Sequence, residues 1–226
     1  MISQDGLMIN GPPRSLTTLI LAHGAGAGMD TDFTNAFAAG LADQGLRVVR
    51  FEFPYMAERR QTGKRRPPDR EPVLRRSWLE VIAAVDARPL IIGGKSMGGR
   101  IASLIADEAD VARLVCLGYP FHPTRKPGQL RVEHLRAIRP PTLILQGERD
   151  AFGSADEVPG YGLSGKIRIH WLQDGDHSFK PRASSGRTLK ENWRVAIETM
   201  VSFFKHEVGC ASHENAADGR HPDAGH

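Results

Sequence analysis

The sequence predicts an α/β fold, in which a mostly parallel sheet of about six to seven strands carries helices on both faces under a minimal cap. Three observations support this prediction. Short apolar runs of strand length recur along the chain, helix-period patterns separate them, and a glycine-rich segment at 93–99 joins one run directly to a helical pattern. With 226 residues the chain is long enough for one such domain, which we place at 1–208.

The first half of the chain alternates between the two patterns. Strand-like runs lie at 7–9, 16–22 and 48–53. Apolar residues at helical spacing form two stripes, with Phe33, Phe37 and Leu41 in the first and Trp78, Ile82 and Val85 in the second.

The second half continues the alternation. Strand-like runs lie at 90–92, 114–117, 141–146 and 166–172. The closing helix carries one apolar stripe, formed by Leu189, Trp193, Ile197, Met200 and Phe204. Only a polar stretch with one helical turn, at 132–137, separates two of the strands, so we expect an open site without a cap domain.

Composition argues against a membrane protein and indicates a reducing compartment. No apolar run approaches the roughly 20 residues that cross a bilayer, and the N-terminus lacks the pattern of a secretory signal. Cys116 lies in a strand-like run and Cys210 in a polar tail, a poor basis for a disulfide, so a cytoplasmic location fits best. We predict that the polar tail at 209–226 is disordered.

The segment Gly94-Lys95-Ser96-Met97-Gly98 fits the G-x-S-x-G pattern of a nucleophile elbow. A chain that turns directly from a strand into a helix crowds its own backbone two residues before and after the serine, where glycine has no Cβ to clash. The turn points the serine Oγ outward, and the helix offers the Met97 N–H to a developing oxyanion. Ser96 is therefore the candidate nucleophile, although a glycine-rich turn with a serine N-cap would show the same letters.

Two phosphate-binding interpretations of the glycines fail. A P-loop ending at Gly94-Lys95-Ser96 needs a glycine at position 89, where this chain has Pro89. The run at 24–29 lacks the last glycine of the dinucleotide fingerprint, because Met29 stands there. Small residues in this loop instead suit half of an oxyanion hole, with Ala25 as the candidate donor and His23 as a residue that orders the loop.

Two later strand ends supply an acid and a base. A carboxylate after the strand at 141–146 can accept a hydrogen bond from a histidine, hold its tautomer and stabilise the imidazolium. We choose Asp150 for this role and keep Glu148 in reserve, since acidic residues after strands are also common turn formers. His177 follows the final predicted strand on a polar loop and is the base candidate.

Further residues are candidates for contact with the substrate. Positive charge is concentrated at 59–76, a segment that leaves a strand on the side where α/β sheets bind ligands, so Arg59 and Arg60 could meet an anionic group. A solvated loop is the alternative, and the lack of aromatic residues among these arginines argues against nucleic acid. Tyr119 and His122, in a proline-rich loop, are also candidates. Lys95 could bind an anion or point away from the site.

The order serine, acid, histidine, each after a strand-like run, is that of the α/β-hydrolase triad. The chain resembles the α/β-hydrolase superfamily and, within it, small, nearly capless hydrolase-like proteins related to dienelactone hydrolases, a group that includes testis-expressed hydrolase-like proteins and a nuclear acetyltransferase-complex subunit. The resemblance implies the α/β-hydrolase fold over most of 16–206, and the segments that carry it are 21–26, 93–100, 118–121, 147–150 and 175–179. Dienelactone hydrolases use a cysteine nucleophile where this chain has Ser96, so their substrate is not carried over.

The combined prediction is a serine hydrolase that cleaves a small acyl ester or thioester through an acyl-enzyme intermediate. Such chemistry needs no metal or organic cofactor, and its partner is a small acyl substrate, with an anionic one as an option. The alternative is a catalytically idle binding or scaffold protein that engages an anionic partner through the Arg-rich loop. The oligomeric state stays open.

Overall fold

The computed structural model of the protein describes residues 6–87 and 89–205, so the predicted tail at 209–226 lies outside the described residues. Its strands are β1 Met8–Asn10, β2 Thr18–Ala22, β3 Arg47–Phe51, β4 Leu90–Lys95, β5 Arg113–Leu117, β6 Thr142–Gly147 and β7 Ile167–Leu172. They form one sheet in the order β1-β3-β2-β4-β5-β6-β7, in which β1 is antiparallel to β3 and all other pairs are parallel. The predicted sheet is confirmed.

Five helices connect these strands. They are α1 Asp32–Ala42, α2 Pro54–Thr62, α3 Glu71–Val85, α4 Met97–Ile105 and α5 Leu189–Lys205. The predicted helical turn at 132–137 is a single 3₁₀ turn, Glu133–Arg136. Within the described ranges, no helix is long and apolar enough to cross a membrane.

The Arg-rich segment is not the loop that the sequence predicts. Its first part is helix α2, which starts with Pro54 in its first turn and ends at Gly63 in the left-handed conformation (φ 71°). Only Tyr55 and Met56 of this helix are buried, so it has no apolar stripe long enough to be recognised. Helix α3 takes the last part of the segment, and a true loop remains only at 63–70.

The sheet is buried on both faces. Along β2, Leu19 belongs to the cluster that contains Phe37 of α1 and Met200 of α5, whereas its neighbour Ile20 belongs to the cluster with Trp78 of α3. Successive strand residues point to opposite faces, which places α1 and α5 on one side and α3 and α4 on the other. A fully buried side chain of this size contributes about 1.5–3 kcal/mol to folding, so both layers hold the sheet rigid.

This topology determines where functional side chains can meet. Strands β2, β4, β6 and β7 run parallel, so their carboxyl ends lie on one edge of the sheet. The loops that follow them begin near residues 23, 96, 148 and 173. Ligands of open α/β sheets bind at this edge.

Candidate active site

Ser96 stands alone between the end of β4 and the start of α4, in the strained conformation φ 50°, ψ −115°. The backbone is so closely packed at this turn that only glycine fits two residues before and two residues after the serine. A Cβ on Gly94 would come within 2.5 Å of the Gly98 carbonyl carbon, and one on Gly98 within 2.5 Å of the His23 carbonyl oxygen. The Ser96 N–H donates to the Leu117 carbonyl at 2.9 Å, which ties the turn to β5. The serine is thus held by two glycines and a neighbouring strand.

His177 joins Ser96 to Asp150. The Ser96 Oγ lies 2.9 Å from His177 Nε2, and His177 Nδ1 lies 2.8 Å from Asp150 Oδ2. A carboxylate can only accept, so Nδ1 carries the proton and Nε2 is left with a lone pair for the serine hydroxyl. The structure therefore brings together the three residues that the sequence nominates, in the order a proton relay requires.

Asp150 is held in place by more than the histidine. Its side chain is fully buried, and Oδ2 also accepts a hydrogen bond from Gln146 Nε2 at 2.9 Å. Its Oδ1 accepts from the Phe152 N–H at 2.9 Å, and the Phe152 ring packs against the His177 ring with centroids 4.4 Å apart. These contacts fix the orientation of both members of the pair.

The reserve acid has a different partner. Glu148 Oε2 accepts a hydrogen bond from the Asp174 N–H at 2.7 Å, which steadies the start of the loop that carries His177. Glu148 therefore binds the backbone of this loop, whereas Asp150 binds the His177 ring itself.

A cavity of about 380 Å³ opens beside the serine. Ser96, Met97 and Ala25 all line it, so the two candidate oxyanion donors flank the candidate nucleophile. Its lining also includes Leu74 and Ile101, so part of the wall is apolar. A more voluminous groove between α1 and α5 contains neither a histidine nor a cysteine in its lining, and we place the site at Ser96.

The loop that carries Ala25 is held by side chains behind it. His23 Nε2 accepts from the Phe53 N–H at 3.1 Å, so Nδ1 carries the ring proton and donates to the Gly24 carbonyl at 2.6 Å. The Tyr55 hydroxyl donates to the Ala25 carbonyl at 2.9 Å. Burial lowers the pKa of His23, which keeps this ring neutral. His23 orders the loop, as its position in the sequence indicates.

Lys95 points away from the cavity. Its ammonium donates to the His177 carbonyl at 2.6 Å and lies 5.6 Å and 5.9 Å from the centres of the Phe33 and Phe179 rings. Burial lowers its pKa to about 8. It fastens the backbone of the histidine loop, which is the second of the two alternatives that the sequence left open.

Neither candidate arginine of α2 projects into the cavity lining. Arg60 donates to both oxygens of Glu52 and pairs with Asp30, and these carboxylates raise its pKa. Arg59 donates to the Gly26 carbonyl at 3.2 Å. Both side chains therefore brace the glycine-rich loop.

Tyr119 and His122 also lie outside the cavity wall, and both are buried. The Tyr119 hydroxyl donates to the Arg131 carbonyl at 3.0 Å, and His122 Nδ1 lies 3.0 Å from the Pro123 carbonyl. Both rings are held inside the protein by these contacts and do not face the cavity.

Five polar residues of the site escaped the sequence analysis. Gln146 contacts Asp150, and the cavity lining includes Asp69, Glu71, Arg100 and Arg131. Gln146 gave a signal, because it is polar at the end of an apolar strand. Arg100 lies four residues after Ser96 and could have been placed on the same helix face, whereas nothing in the sequence locates Arg131.

Across 6–87 and 89–205, no three His, Cys, Asp or Glu side chains are grouped so that they could hold a metal ion.

Comparison with known proteins agrees with this architecture. A model of the family described as alpha/beta hydrolase domain matches residues 15–205. An alpha-beta serine hydrolase homologue from Coxiella burnetii superposes with a TM-score of 0.65 at 19% identity, covering 90% of this chain and 94% of that chain.

Two further solved structures have the same fold. A serine hydrolase without lid from Xanthomonas campestris gives a TM-score of 0.63 at 20% identity and covers 88% of each chain. The esterase domain of a Rhodothermus marinus protein gives 0.63 at 15% identity, with 87% of this chain and 89% of that chain covered. At these identities the likeness concerns the fold.

Proposed function

The chain belongs to the alpha/beta hydrolase domain family, and we propose that it is a serine hydrolase that cleaves a small acyl ester or thioester through an acyl-enzyme intermediate. One observation carries the proposal. An unbroken line of hydrogen bonds runs from Ser96 through His177 to buried Asp150, and its serine end opens on a cavity.

In the first half of the reaction, Ser96 Oγ attacks the carbonyl carbon of the substrate while His177 Nε2 removes the hydroxyl proton. Asp150 accepts the Nδ1 hydrogen bond throughout, so it favours the tautomer that can receive this proton and stabilises the imidazolium. The negative charge that develops on the carbonyl oxygen is met by the N–H groups of Met97 and Ala25. Removal of one such donor typically costs about 3 kcal/mol of transition-state stabilisation.

In the second half, His177 gives its proton to the leaving group, which departs as an alcohol or thiol. Water then enters, loses a proton to His177 and attacks the acyl carbon, and Ser96 leaves with the proton returned. Nucleophilic attack by Ser96, proton transfer by His177 and stabilisation of the oxyanion thus complete the cycle.

The scaffold alternative has less support. It requires basic residues of the Arg-rich segment to be available to a partner, and two of them are already paired, Arg60 with Glu52 and Asp30 and Arg66 with Glu58 and Asp69. Lys64, Arg65 and Arg70 stay exposed. An idle site would also have no need for the strained backbone at Ser96, since such strain costs about 1–3 kcal/mol.

The experiment has two parts. The protein is mixed with para-nitrophenyl butanoate and quenched in acid, and its intact mass is measured. Steady-state turnover of the same ester and of a butanoyl thioester is measured in parallel. We expect a butanoyl adduct and turnover on the wild type, and neither on Ser96→Ala.

Arg168→Gln serves as the matched control, because this exposed arginine of β7 lines no part of the cavity. Folded wild type that forms no adduct and hydrolyses neither ester would refute the proposal.

A further inference from the structure

The cavity beside Ser96 contains two arginines that the proposed mechanism does not use. Arg100 lies on α4, four residues after Ser96, which is about one helical turn or about 6 Å along the axis. Arg131 reaches the same cavity from the connection between β5 and β6. Both arginines therefore line a space that the candidate nucleophile also lines.

The acidic side chains in this wall are already engaged. Asp69 Oδ1 lies 2.6 Å from Arg66 Nη2, and its Oδ2 accepts from the Tyr55 N–H at 2.9 Å. Glu71 Oε2 accepts from Arg100 Nη2 at 2.9 Å. Both carboxylates are therefore already paired with an arginine of the chain.

Arg131 has no such counter-charge. In the part of the chain that the structure describes, no carboxylate pairs with its guanidinium, and the charge that acts on it most strongly is that of Arg100. Burial lowers the pKa of Arg131, and repulsion by Arg100 lowers it further. Arg100 Nε is also buried without a hydrogen-bond partner among the described residues. An anion between the two side chains would offset the repulsion.

We propose that Arg131, with Arg100, binds a carboxylate of the substrate. This inference rests on the proposed function and narrows its substrate class. The hydrolase then acts on a small ester or thioester with a carboxylate several bonds from the scissile carbonyl, since one helical turn separates Arg100 from Ser96. A planar guanidinium with several donors suits a carboxylate better than an ammonium does.

The size of the cavity agrees with such a ligand. About 380 Å³ lies at the lower end of the range for small-molecule sites, and the walls combine Leu74 and Ile101 with the two arginines. A short methylene chain ending in a carboxylate matches both surfaces.

The experiment compares substrates that differ only in charge. Para-nitrophenyl adipate carries a free carboxylate on its acyl side, and the corresponding adipamide ester has a neutral amide of the same shape. On the leaving-group side, meta-carboxyphenyl acetate is paired with meta-carbamoylphenyl acetate. We expect wild type to favour the carboxylate member of one pair in kcat/KM by about 10-fold to 100-fold, the range for a charge-assisted hydrogen bond, and the pair that responds identifies the side that carries the anion.

Arg131→Gln should reduce that preference to near one, and Arg131→Lys should retain part of it. The backbone groups of Arg131, which bond Phe121 and Tyr119, stay unchanged in both variants. The matched control Arg168→Gln removes the same charge from outside the cavity and should keep the full preference.

Equal kcat/KM for both members of both pairs would overturn this inference and leave the proposed hydrolysis intact. A preference that survives in Arg131→Gln would also overturn it. If no ester is hydrolysed, calorimetry of adipate binding to Ser96→Ala still tests the subsite. The subsite is supported if adipate binds, adipamide does not, and the added substitution Arg131→Gln abolishes adipate binding. Equal or absent binding of the two probes contradicts it.

Discussion

Ser96, in the turn before α4, and Ser103, on α4, each lie close to a histidine of another segment, at nearly equal distances. Ser96 Oγ lies 2.9 Å from His177 Nε2, and Ser103 Oγ lies 2.8 Å from His134 Nε2. The first pair has Asp150 on the second ring nitrogen and borders a cavity, and the His177 side chain is 25% exposed.

The second pair lacks the carboxylate partner and the cavity, although His134 is also only partly buried. Ser103 is buried and donates to the Arg100 carbonyl at 2.7 Å, so its proton points to the backbone. No carboxylate within 6–87 and 89–205 forms an ion pair with His134, and burial, with a further contribution from Arg100, lowers the pKa of this ring to about 4. The comparison teaches that a third group and access to substrate, more than the serine–histidine distance, decide whether a pair can act as nucleophile and base.

The largest expected effect separates the two serines by activity. Ser96→Ala should lower kcat by about 10⁶-fold, because no other hydroxyl replaces the nucleophile. Ser103→Ala should stay within a few-fold of wild type, measured by ester turnover at matched folded concentration. Comparable losses in both variants would remove the distinction between the pairs.

The next effect tests the third group. Asp150→Asn keeps the size of the buried side chain but can present a donor to His177 Nδ1, which favours the wrong tautomer, and kcat should fall by about 10⁴-fold. Glu148→Gln is the matched control, since its partner is the Asp174 N–H. Near-normal activity in Asp150→Asn would mean that the histidine needs no carboxylate.

A smaller effect concerns the pH dependence of stability at the second pair. The folded pKa of His134 is about 4 against 6.5 in the unfolded chain, so between these values the unfolded state binds more protons. Stability should therefore fall as pH falls from 6.5 to 4, by on the order of 2 kcal/mol for this half-buried group. Denaturant unfolding of wild type and His134→Gln at both pH values measures this loss. An equal loss of unfolding free energy in the two proteins would show that His134 is not the cause.

The smallest effect is the stability of the two serine variants. Ser103→Ala removes a buried hydroxyl bonded to the Arg100 carbonyl and should lower the free energy of unfolding by about 1 kcal/mol. Ser96→Ala leaves the glycine-lined turn in place and should change it little. A greater loss of stability in Ser96→Ala than in Ser103→Ala would indicate that Ser96 has a structural role.

The fold was predictable because its signals are local. Strands such as β5 are short apolar runs, and the glycines around Ser96 mark a turn whose close backbone contacts allow no side chain. Asp150 and His177 could be nominated because parallel strands bring their carboxyl ends to one edge. Position after a strand and residue type were sufficient to nominate Ser96, Asp150 and His177.

What escaped prediction depends on contacts between distant segments. Helix α2 buries only Tyr55 and Met56, so it has little periodicity. The partners of Arg60 are Glu52, directly after β3, and Asp30, before α1, and only the folded chain shows that Arg60 is paired with them. Arg131 reaches the cavity through the path of a loop, which no local pattern encodes.

The most direct measurement is intact-mass analysis after treatment with a fluorophosphonate probe, on wild type, Ser96→Ala and Ser103→Ala. Such probes react with serines that a neighbouring base activates. We predict one adduct on wild type and on Ser103→Ala, and none on Ser96→Ala. No adduct on folded wild type, or an adduct that persists in Ser96→Ala, would contradict the assignment of Ser96 as the activated nucleophile.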